Sequence, residues 1–314
     1  TILIITNGGI ILKTNHTKSG LIFSQLGLGA MNLPQTQAEA DKILKTALEN
    51  NITYIDTADL YQKGHNEETI GEFLSSNKLR HEVTLASKVG NEFNMINDEV
   101  KWNPSKSHIK RSITDSLARL KTDYLDLYML HGGTIEDNKD EVIDTFESLK
   151  KEGLIRAYGI SSIRPNVIDY YLEHSNIDSI MMQFSLIDNR PEQLIESIEK
   201  HDVRILARGP LMKGLLTDHA SRILDTKFKD GILDSSYEAL KQSIDHAKRS
   251  GNLTELAYQY LLQYPVASIV NGASSKEQLL ENIKHFENAL KQQGSNIEQV
   301  RRFFKDIDYK DHIK

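Results

Sequence analysis

The chain has 314 residues with 38 lysines and arginines, 44 aspartates and glutamates and no cysteine. A net charge of −6 with interspersed signs excludes a basic nucleic-acid-binding face. The lack of cysteine excludes disulfides and thiolate metal sites. No apolar run approaches the roughly 18 residues of a membrane span. We therefore expect a cytoplasmic protein with a small-molecule substrate and no nucleic-acid or membrane partner; the oligomeric state stays open.

The first 20 residues are predicted to form an N-terminal leader or hairpin, and residues 21–314 a single domain. Gly8 and Gly9 mark a weak break near the start. The first residues are too short an apolar run for a convincing signal peptide and lack its basic flank.

From residue 26 onward, short apolar runs alternate with amphipathic segments. The apolar runs predict strands over 26–29, 52–56, 83–88, 124–131, 154–160, 179–183, 203–207 and 266–270. The intervening segments predict helices over about 36–50, 67–74, 105–120, 139–151, 165–173, 191–200 and 275–290. Between 216 and 263 we expect a long loop and helices near 236–248 and 254–262, and after Gly294 a further outer helix.

Local signals mark several helix ends. Thr36 with Glu39, and Ser274 with Glu277, have the spacing of capping boxes. Gly153 is a plausible glycine just past the end of the helix near 139–151.

Eight buried strands alternating with helices predict a single-domain (β/α)8 TIM barrel. An open sheet that binds a dinucleotide would normally carry Gly-x-Gly-x-x-Gly. Here Gly27 and Gly29 are present, but Asn32 stands where the third glycine belongs. The two glycines suit either a tight strand-end turn or close approach of a cofactor.

Four polar side chains lie at or just past the ends of three consecutive predicted strands. Asp56 and Tyr61 follow the second strand, Lys88 the third and His131 the fourth. The carboxyl ends of barrel strands are where such folds carry their active sites. We therefore expect these four residues to meet at one rim of the barrel.

Together, these groups can protonate an oxyanion. A tyrosine hydroxyl is a poor acid at neutral pH unless a nearby cation favours its phenolate form. Lys88 is the candidate cation, Asp56 can pair with it, and His131 can donate a hydrogen bond to a carbonyl oxygen. Protonation of the oxygen is the second half of a carbonyl reduction. The first half, hydride delivery, requires a nicotinamide or a flavin.

Each residue also has a simpler explanation when it is taken alone. Asp56 and Lys88 suit a structural ion pair, Tyr61 a loop anchor, and His131 a hydrogen-bonded strand end. Lys88 also suits an unrelated barrel lyase that forms a Schiff base. His65 and His108 are expected to be ordinary surface residues, and no His/Asp/Glu cluster has metal-ligand spacing.

The segment 54–61, Tyr-Ile-Asp-Thr-Ala-Asp-Leu-Tyr, followed by Asn66-Glu67, resembles the aldo-keto reductase signature. Further blocks of that family follow in order: Ala86-Ser-Lys88, Leu130-His131, Gly159-Ile-Ser-Ser162, Gln183 and 272–282. The resemblance is closest to the bacterial and potassium-channel β-subunit-like branch. It implies a (β/α)8 barrel that binds NADPH without a Rossmann domain and reduces aldehydes or ketones to alcohols.

The resemblance also implies residue roles. Tyr61 would donate the proton, Lys88 and Asp56 would tune it, and His131 would orient the carbonyl. Ser161, Ser162 and Gln183 would hold the nicotinamide carboxamide, the segment 208–213 would line the nicotinamide and pyrophosphate, and residues from Ser274 onward the adenosine end. The implied cofactor-binding residues are Gly29, Ala30, Met31, Asp56, Ser161, Ser162, Gln183, Arg208, Gly209, Leu211, Lys213, Ser274, Gln278, Glu281 and Asn282.

Several positions depart from the family pattern. Ser162 replaces the usual asparagine, and Arg208 replaces an aromatic residue that often stacks on nicotinamide. Gln278 replaces an arginine that often binds the 2′-phosphate, so we expect only a modest preference for NADPH over NADH. Gly132 and Gly133 replace bulkier residues and predict an open substrate pocket. A cofactor-binding regulatory or sensor protein with low turnover remains the alternative function.

Overall fold

The strands of the computed structural model close into one parallel barrel. The model describes residues 14–93, 99–292 and 297–311, together with the backbone of 5–6 and 9–10. The barrel strands are Leu26–Gly29 (β1), Tyr54–Asp56 (β2), Thr84–Val89 (β3), Leu125–Leu130 (β4), Ile155–Ser161 (β5), Ser179–Gln183 (β6), Arg204–Arg208 (β7) and Val266–Gly272 (β8). Each strand pairs in parallel with its neighbours in chain order, and β8 pairs with β1. The predicted (β/α)8 barrel is confirmed.

Helices surround the barrel. They are Gln37–Glu49 (α1), His65–Ser76 (α2), Lys106–Leu120 (α3), Lys139–Lys151 (α4), Pro165–His174 (α5), Ile195–Lys200 (α6), Ala220–Lys227 (α7), Tyr237–Ser250 (α8), Leu253–Leu261 (α9), Lys276–Lys291 (α10) and Ile297–Arg301 (α11). None of the helices in the described ranges is long and apolar enough to cross a membrane.

Two apolar layers hold the barrel together. Inside it, Phe23, Tyr54, Met129, Met181 and Leu206 belong to one buried cluster. A larger cluster fills the space between the strands and the helices. Strands buried on both faces require apolar residues on both faces, which is why they read as continuous apolar runs.

An antiparallel hairpin closes the amino-terminal end of the barrel, which we call the floor. It pairs Thr14–His16 with Ile22–Ser24. Phe23 is fully buried, and its ring meets that of Tyr54 edge-on with centroids 4.7 Å apart. Asn15 Nδ2 donates to the carbonyl of Ala267 at 2.8 Å, which ties the hairpin to β8. The predicted boundary at residue 20 lies in the turn of this hairpin, and the domain boundary stays a prediction.

Several local predictions were wrong. The long loop predicted after residue 216 contains the additional helix α7, and a hairpin of Asn91–Phe93 with Val100–Trp102 was not predicted. The predicted capping box at Thr36 does not form. Thr36 makes no side-chain capping bond, and Glu39 pairs with Lys42 at 2.6 Å instead of reaching back.

Two further positions differ from expectation because tertiary packing decides them. His108 is buried on the inner face of α3, with 5% of its surface exposed, and is not a surface residue. A Cβ on Gly27 would lie 2.6 Å from both Ser268 Oγ and Tyr54 Cδ1, so close packing inside the barrel explains this glycine. The predicted Gly153 is confirmed in the left-handed region, just past α4.

Candidate active site

The four predicted catalytic residues meet at the carboxyl end of the barrel, which we call the mouth. Asp56 is the last residue of β2 and Lys88 lies near the end of β3, while His131 directly follows β4. Strand register sets Lys88 beside Met129, so Lys88 and His131 lie close to the same rim. Tyr61 comes from the loop after β2. The predicted meeting of these residues is confirmed.

Lys88 is the centre of this group. Its fully buried Nζ donates to Asp56 Oδ2 at 2.7 Å and to the carbonyl of Thr57 at 2.7 Å. Tyr61 Oη lies 3.5 Å from the same nitrogen. The ammonium is thus held between a carboxylate and a phenol. A Schiff base would disrupt this arrangement, because an imine nitrogen keeps at most one N–H for the three contacts.

The loop after β2 presents Tyr61 through an unusual backbone. Gln62 and Lys63 follow it directly, with φ angles of 50° and 58° in the left-handed region. Gln62 Nε2 donates to the carbonyl of Leu33 at 2.8 Å, which fixes the loop against the segment after β1. The Tyr61 ring then meets the His131 ring edge-on, with centroids 6.0 Å apart.

His131 is held as a neutral imidazole. Burial, Lys88 and Arg208 together lower its pKa to about 3. Its backbone N–H donates to the Val89 carbonyl at 2.7 Å, and its Nδ1 is buried without a hydrogen-bond partner in the described part of the chain. A neutral imidazole of this kind can donate a hydrogen bond to a carbonyl oxygen without competing with Tyr61 as an acid.

Two opposing effects act on the pKa of Asp56. Burial raises the pKa of Asp56, while the Lys88 ammonium and the Tyr54 hydroxyl act in the other direction. Tyr54 Oη lies 3.4 Å from Asp56 Oδ1. The carboxyl therefore depends on Lys88 for its charged form, and the two residues act as one unit.

A second pair of acids lies behind this group and was not identified from the sequence. Glu67 is fully buried, and its Oε2 accepts from Arg119 Nε at 2.7 Å. Burial and the neighbouring Glu67 raise the pKa of Asp59 to about 7. The Asp59 N–H donates to the Lys88 carbonyl at 3.3 Å, which links this pair to the centre of the site.

The predicted nicotinamide-binding residues lie on neighbouring strands. Ser161 ends β5, Gln183 ends β6 and Arg208 ends β7. Arg208 Nη1 donates to Gln183 Oε1 at 3.1 Å, whereas Gln183 Nε2 contacts only the sulfur of Met212, at 3.3 Å. The Ser161 hydroxyl and the Gln183 amide nitrogen are therefore suited to bind a carboxamide. Ser162 Oγ already accepts from the Arg164 N–H at 3.2 Å.

The remaining predicted contacts form the rim near β1, β7 and β8. After β7, Gly209, Met212 and Lys213 all adopt positive φ angles, which fold the segment with Leu211 into a tight turn.

The end of β1 and the segment after it contain three further predicted residues. Ala30 is buried and its carbonyl accepts from Asn66, while Met31 is 57% exposed beside Gly29.

The cap of α10 differs from the prediction by one residue. Ser275, not Ser274, is the N-cap residue, and its Oγ accepts from Gln278 N at 3.2 Å. The Gln278 side chain reaches back to accept from both Ser274 N and Ser274 Oγ, at 2.8 and 3.0 Å.

The two other predicted contact residues of α10 lie one turn further along the helix. Glu281 lies 4.0 Å from His285, and Asn282 Nδ2 faces the Gly272 carbonyl at 3.5 Å.

A cavity of about 550 Å³ opens beside His131. The residues that line it are His131, Gly132, Ser161, Ser162, Ile163, Arg164, Arg190, Arg208, Leu233, Asp234, Ile307, Asp308, Tyr309, Lys310 and Asp311. Sequence reasoning missed Arg164, Arg190 and the C-terminal segment 307–311. It also missed Trp102, whose ring covers Gly90 and Gly132 and whose Nε1 donates to Asp137 at 2.8 Å.

Comparison with known proteins decides the family. The model of the aldo/keto reductase family matches residues 25–301. The chain belongs to the aldo/keto reductase family. As an aldo/keto reductase, it is an NAD(P)H-dependent oxidoreductase.

Three similar proteins support this assignment. An uncharacterized oxidoreductase, YqkF of Bacillus subtilis, is 46% identical over 94% of this chain and 97% of its own length. The holo form of aldo-keto reductase AKR11C1 from Bacillus halodurans superposes with a TM-score of 0.88 and 41% identity, covering 96% of this chain and 100% of that one. An NADH-specific methylglyoxal reductase of Escherichia coli is 28% identical over 84% of this chain and 90% of its own length.

Proposed function

We propose that this protein reduces aldehydes or ketones to alcohols, with Tyr61 as the proton donor and NADPH as the preferred cofactor. The observation that carries the proposal is the position of Lys88 Nζ, 2.7 Å from Asp56 and 3.5 Å from Tyr61 Oη, beside a neutral His131. A phenol beside a fixed cation can act as the general acid that protonates an oxyanion.

The protein's own side chains act on the carbonyl oxygen. His131 donates a hydrogen bond that orients the oxygen towards Tyr61. Tyr61 gives its proton to that oxygen, and the Lys88 ammonium stabilises the phenolate left behind. Asp56 aligns Lys88, since the two groups are in direct contact. A bound nicotinamide supplies the hydride.

The cofactor contacts in this proposal follow the three strand ends and α10. Ser161, Ser162 and Gln183 bind the carboxamide, and Arg208 offers a planar cation beside the nicotinamide. At the other end, Ser274 and Gln278 at the start of α10 would bind the ribose phosphate. Because no arginine lies in the first turn of α10, NADPH is preferred only modestly over NADH, and one similar reductase is named as specific for NADH.

A turnover screen tests the proposal. Aldehydes, ketones and dicarbonyls are offered with NADPH and with NADH, and cofactor oxidation is followed together with alcohol formation. Reduction of at least one class, with NADPH favoured severalfold, is the expected result. Cofactor binding without turnover of any carbonyl would instead support a regulatory or sensor role.

A further inference from the structure

The cavity beside His131 is lined by four cationic and three acidic side chains. Arg164, Arg190, Arg208 and Lys310 all line it. A guanidinium group without a partner is costly in a pocket that takes only neutral carbonyl compounds, because it must be partly desolvated. The question is which of these charges are already neutralised by the protein.

Two of the four cations are paired. Arg190 donates to both oxygens of Asp188, at 2.8 Å each, and its guanidinium lies over the Tyr309 ring. Lys310 forms an ion pair with Asp234 at 2.7 Å. The contact of Arg190 with Tyr309 and the ion pair of Lys310 connect the C-terminal segment to the cavity wall, and both charges already have a partner.

Arg164 and Arg208 differ, because neither forms an ion pair within 4 Å among the residues that the structure describes. Arg208 donates to the Gln183 amide oxygen. Arg164 donates through Nη1 to the Gly133 carbonyl. A guanidinium has five donors, so most of the donors of each side chain remain available to a ligand.

The contact with Gly133 fixes where the Arg164 guanidinium lies. Gly133 is two residues beyond His131, so the guanidinium sits beside the segment that carries the imidazole. Arg164 also occupies the N-cap position of α5, where Pro165 restricts the backbone, and its side chain makes no capping bond. The side chain is half-buried and anchored, whereas the cavity's remaining carboxylates, Asp308 and Asp311, are exposed at its rim.

We propose that the carbonyl substrate carries an anionic oxygen group, a carboxylate or a phosphate, and that Arg164 binds it while the carbonyl faces His131 and Tyr61. The planar fork of a guanidinium matches both anions. This inference rests on the proposed carbonyl reduction, and it assigns Arg164 as a specificity-determining residue.

Matched substrate pairs test the inference. Succinic semialdehyde is compared with its methyl ester, and glyceraldehyde 3-phosphate with glyceraldehyde, so that the two anions are distinguished. In the wild type, kcat/KM for at least one charged compound should exceed that of its neutral partner at least about tenfold. Arg164→Met should lower this ratio about 10- to 100-fold, the effect of one charge-assisted hydrogen-bonded contact. Arg164→Lys should retain part of it.

Two controls accompany these measurements. Arg222→Met removes an exposed arginine outside the cavity and should leave the ratio unchanged. Benzoate and benzamide are titrated against the wild type through the fluorescence of Trp102, the only tryptophan, whose ring covers Gly132 of the cavity wall. Benzoate should bind at least about tenfold more tightly than benzamide. This comparison uses only the wild type, so it remains valid if Arg164→Met does not fold.

Distinct outcomes overturn distinct statements. A wild type that reduces carbonyls with equal kcat/KM for charged and neutral partners overturns the anionic substrate. An unchanged ratio in Arg164→Met with a tenfold rise in the NADP+ dissociation constant assigns the arginine to the cofactor phosphates, which also overturns it. A wild type that reduces no carbonyl compound overturns the proposed function itself.

Discussion

The floor and the mouth of the barrel solve the same problem, turning the chain between a helix and a strand, with different backbones. At the floor, left-handed residues other than glycine occur singly, at or just past the ends of α1, α2, α3 and α6. They are Asn51, Lys78, Lys121 and Asp202. A single left-handed residue that ends a helix is ordinary.

At the mouth, left-handed residues come in consecutive pairs. Gln62 and Lys63 follow Tyr61, Met212 and Lys213 follow β7, and Leu233 and Asp234 line the cavity. Each such residue costs on the order of 1 kcal/mol. Strained backbone is thus concentrated in the loops that surround the candidate active site, while the turns at the floor are ordinary helix ends. We expect changes at the floor to affect stability and changes at the mouth to affect function.

The largest effect is expected at the floor. Phe23→Ala removes a buried ring that packs on Tyr54 and should lower the free energy of unfolding by about 3–5 kcal/mol, measured by urea denaturation. Turnover per folded molecule should stay near the wild-type value. The control is Ile22→Ala, which alters a neighbour that is 46% exposed and should cost far less. A large loss of turnover with little loss of stability would erase the distinction between floor and mouth.

The next effect is expected at the mouth. Tyr61→Phe removes the proton donor and keeps the ring, so turnover with a good aldehyde should fall about 100-fold or more. Thermal unfolding and cofactor binding should stay close to wild type. Tyr237→Phe removes a hydroxyl that contacts Asp225 outside the cavity and serves as the control. Full activity of Tyr61→Phe would remove this residue from the mechanism.

A pH-dependent effect follows from Asp59. Its pKa is raised to about 7, so the folded protein keeps a proton that the unfolded chain loses above its ordinary pKa near 4. Stability from this group is therefore complete at acid pH and is lost as the pH rises towards 7.

Asp59→Asn cannot ionise, so its advantage over wild type in unfolding free energy should be about 2 kcal/mol larger at pH 8 than at pH 5. Melting temperatures at the two pH values measure this. Asp144→Asn, on the exposed face of α4, should show no such difference. An advantage that does not grow with pH would mean that Asp59 is already ionised at pH 5.

A smaller effect concerns the rim at α10. Gln278→Arg adds a cation and frees Ser274, whose N–H and hydroxyl now bind Gln278 Oε1. The NADPH dissociation constant should fall about 5- to 10-fold, with little change for NADH, as measured by calorimetry. Ser274→Asp should have the opposite effect on NADPH. Equal changes for both cofactors in both variants would place the 2′-phosphate elsewhere.

The smallest effect is expected at a floor turn. Lys78→Gly relieves a φ angle of 59° just past α2 and should raise the free energy of unfolding by up to about 1 kcal/mol. Turnover should not change. Lys45→Gly, inside α1, should destabilise the protein by about 1 kcal/mol instead. Stabilisation by both variants, or by neither, would mean that backbone conformation does not decide the outcome.

Sequence patterns predicted the parts of this molecule that depend on local periodicity. Continuous apolar runs gave the eight barrel strands, and parallel strands bring their carboxyl ends to one rim. That is why Asp56, Lys88 and His131 were placed together correctly. The N-cap of α10 was misplaced by one residue because two adjacent serines can both cap. Ser275 Oγ accepts from the Gln278 N–H, whereas Ser274 Oγ donates to Gln278 Oε1.

The cavity could not be predicted in the same way. Its lining comes from segments around 132, 162, 190, 234 and 309, and loop conformations decide which of them meet. In one of these loops Leu233 has a φ angle of 49°, which glycine adopts readily and leucine disfavours. Nothing in the local sequence predicts this conformation. The burial of His108 likewise follows from packing of α3, since a histidine suits either face of a helix.

The hairpin at the floor has a consequence for synthesis. Asn15 donates to the carbonyl of Val266, 251 positions later in the chain. At about 5–20 residues per second, a ribosome takes roughly 12–50 s to make the stretch between them. Throughout that interval the hairpin has only part of its docking site. The first segment of the floor to leave the ribosome is therefore among the last to be secured, and translation rate becomes a variable in how this barrel assembles.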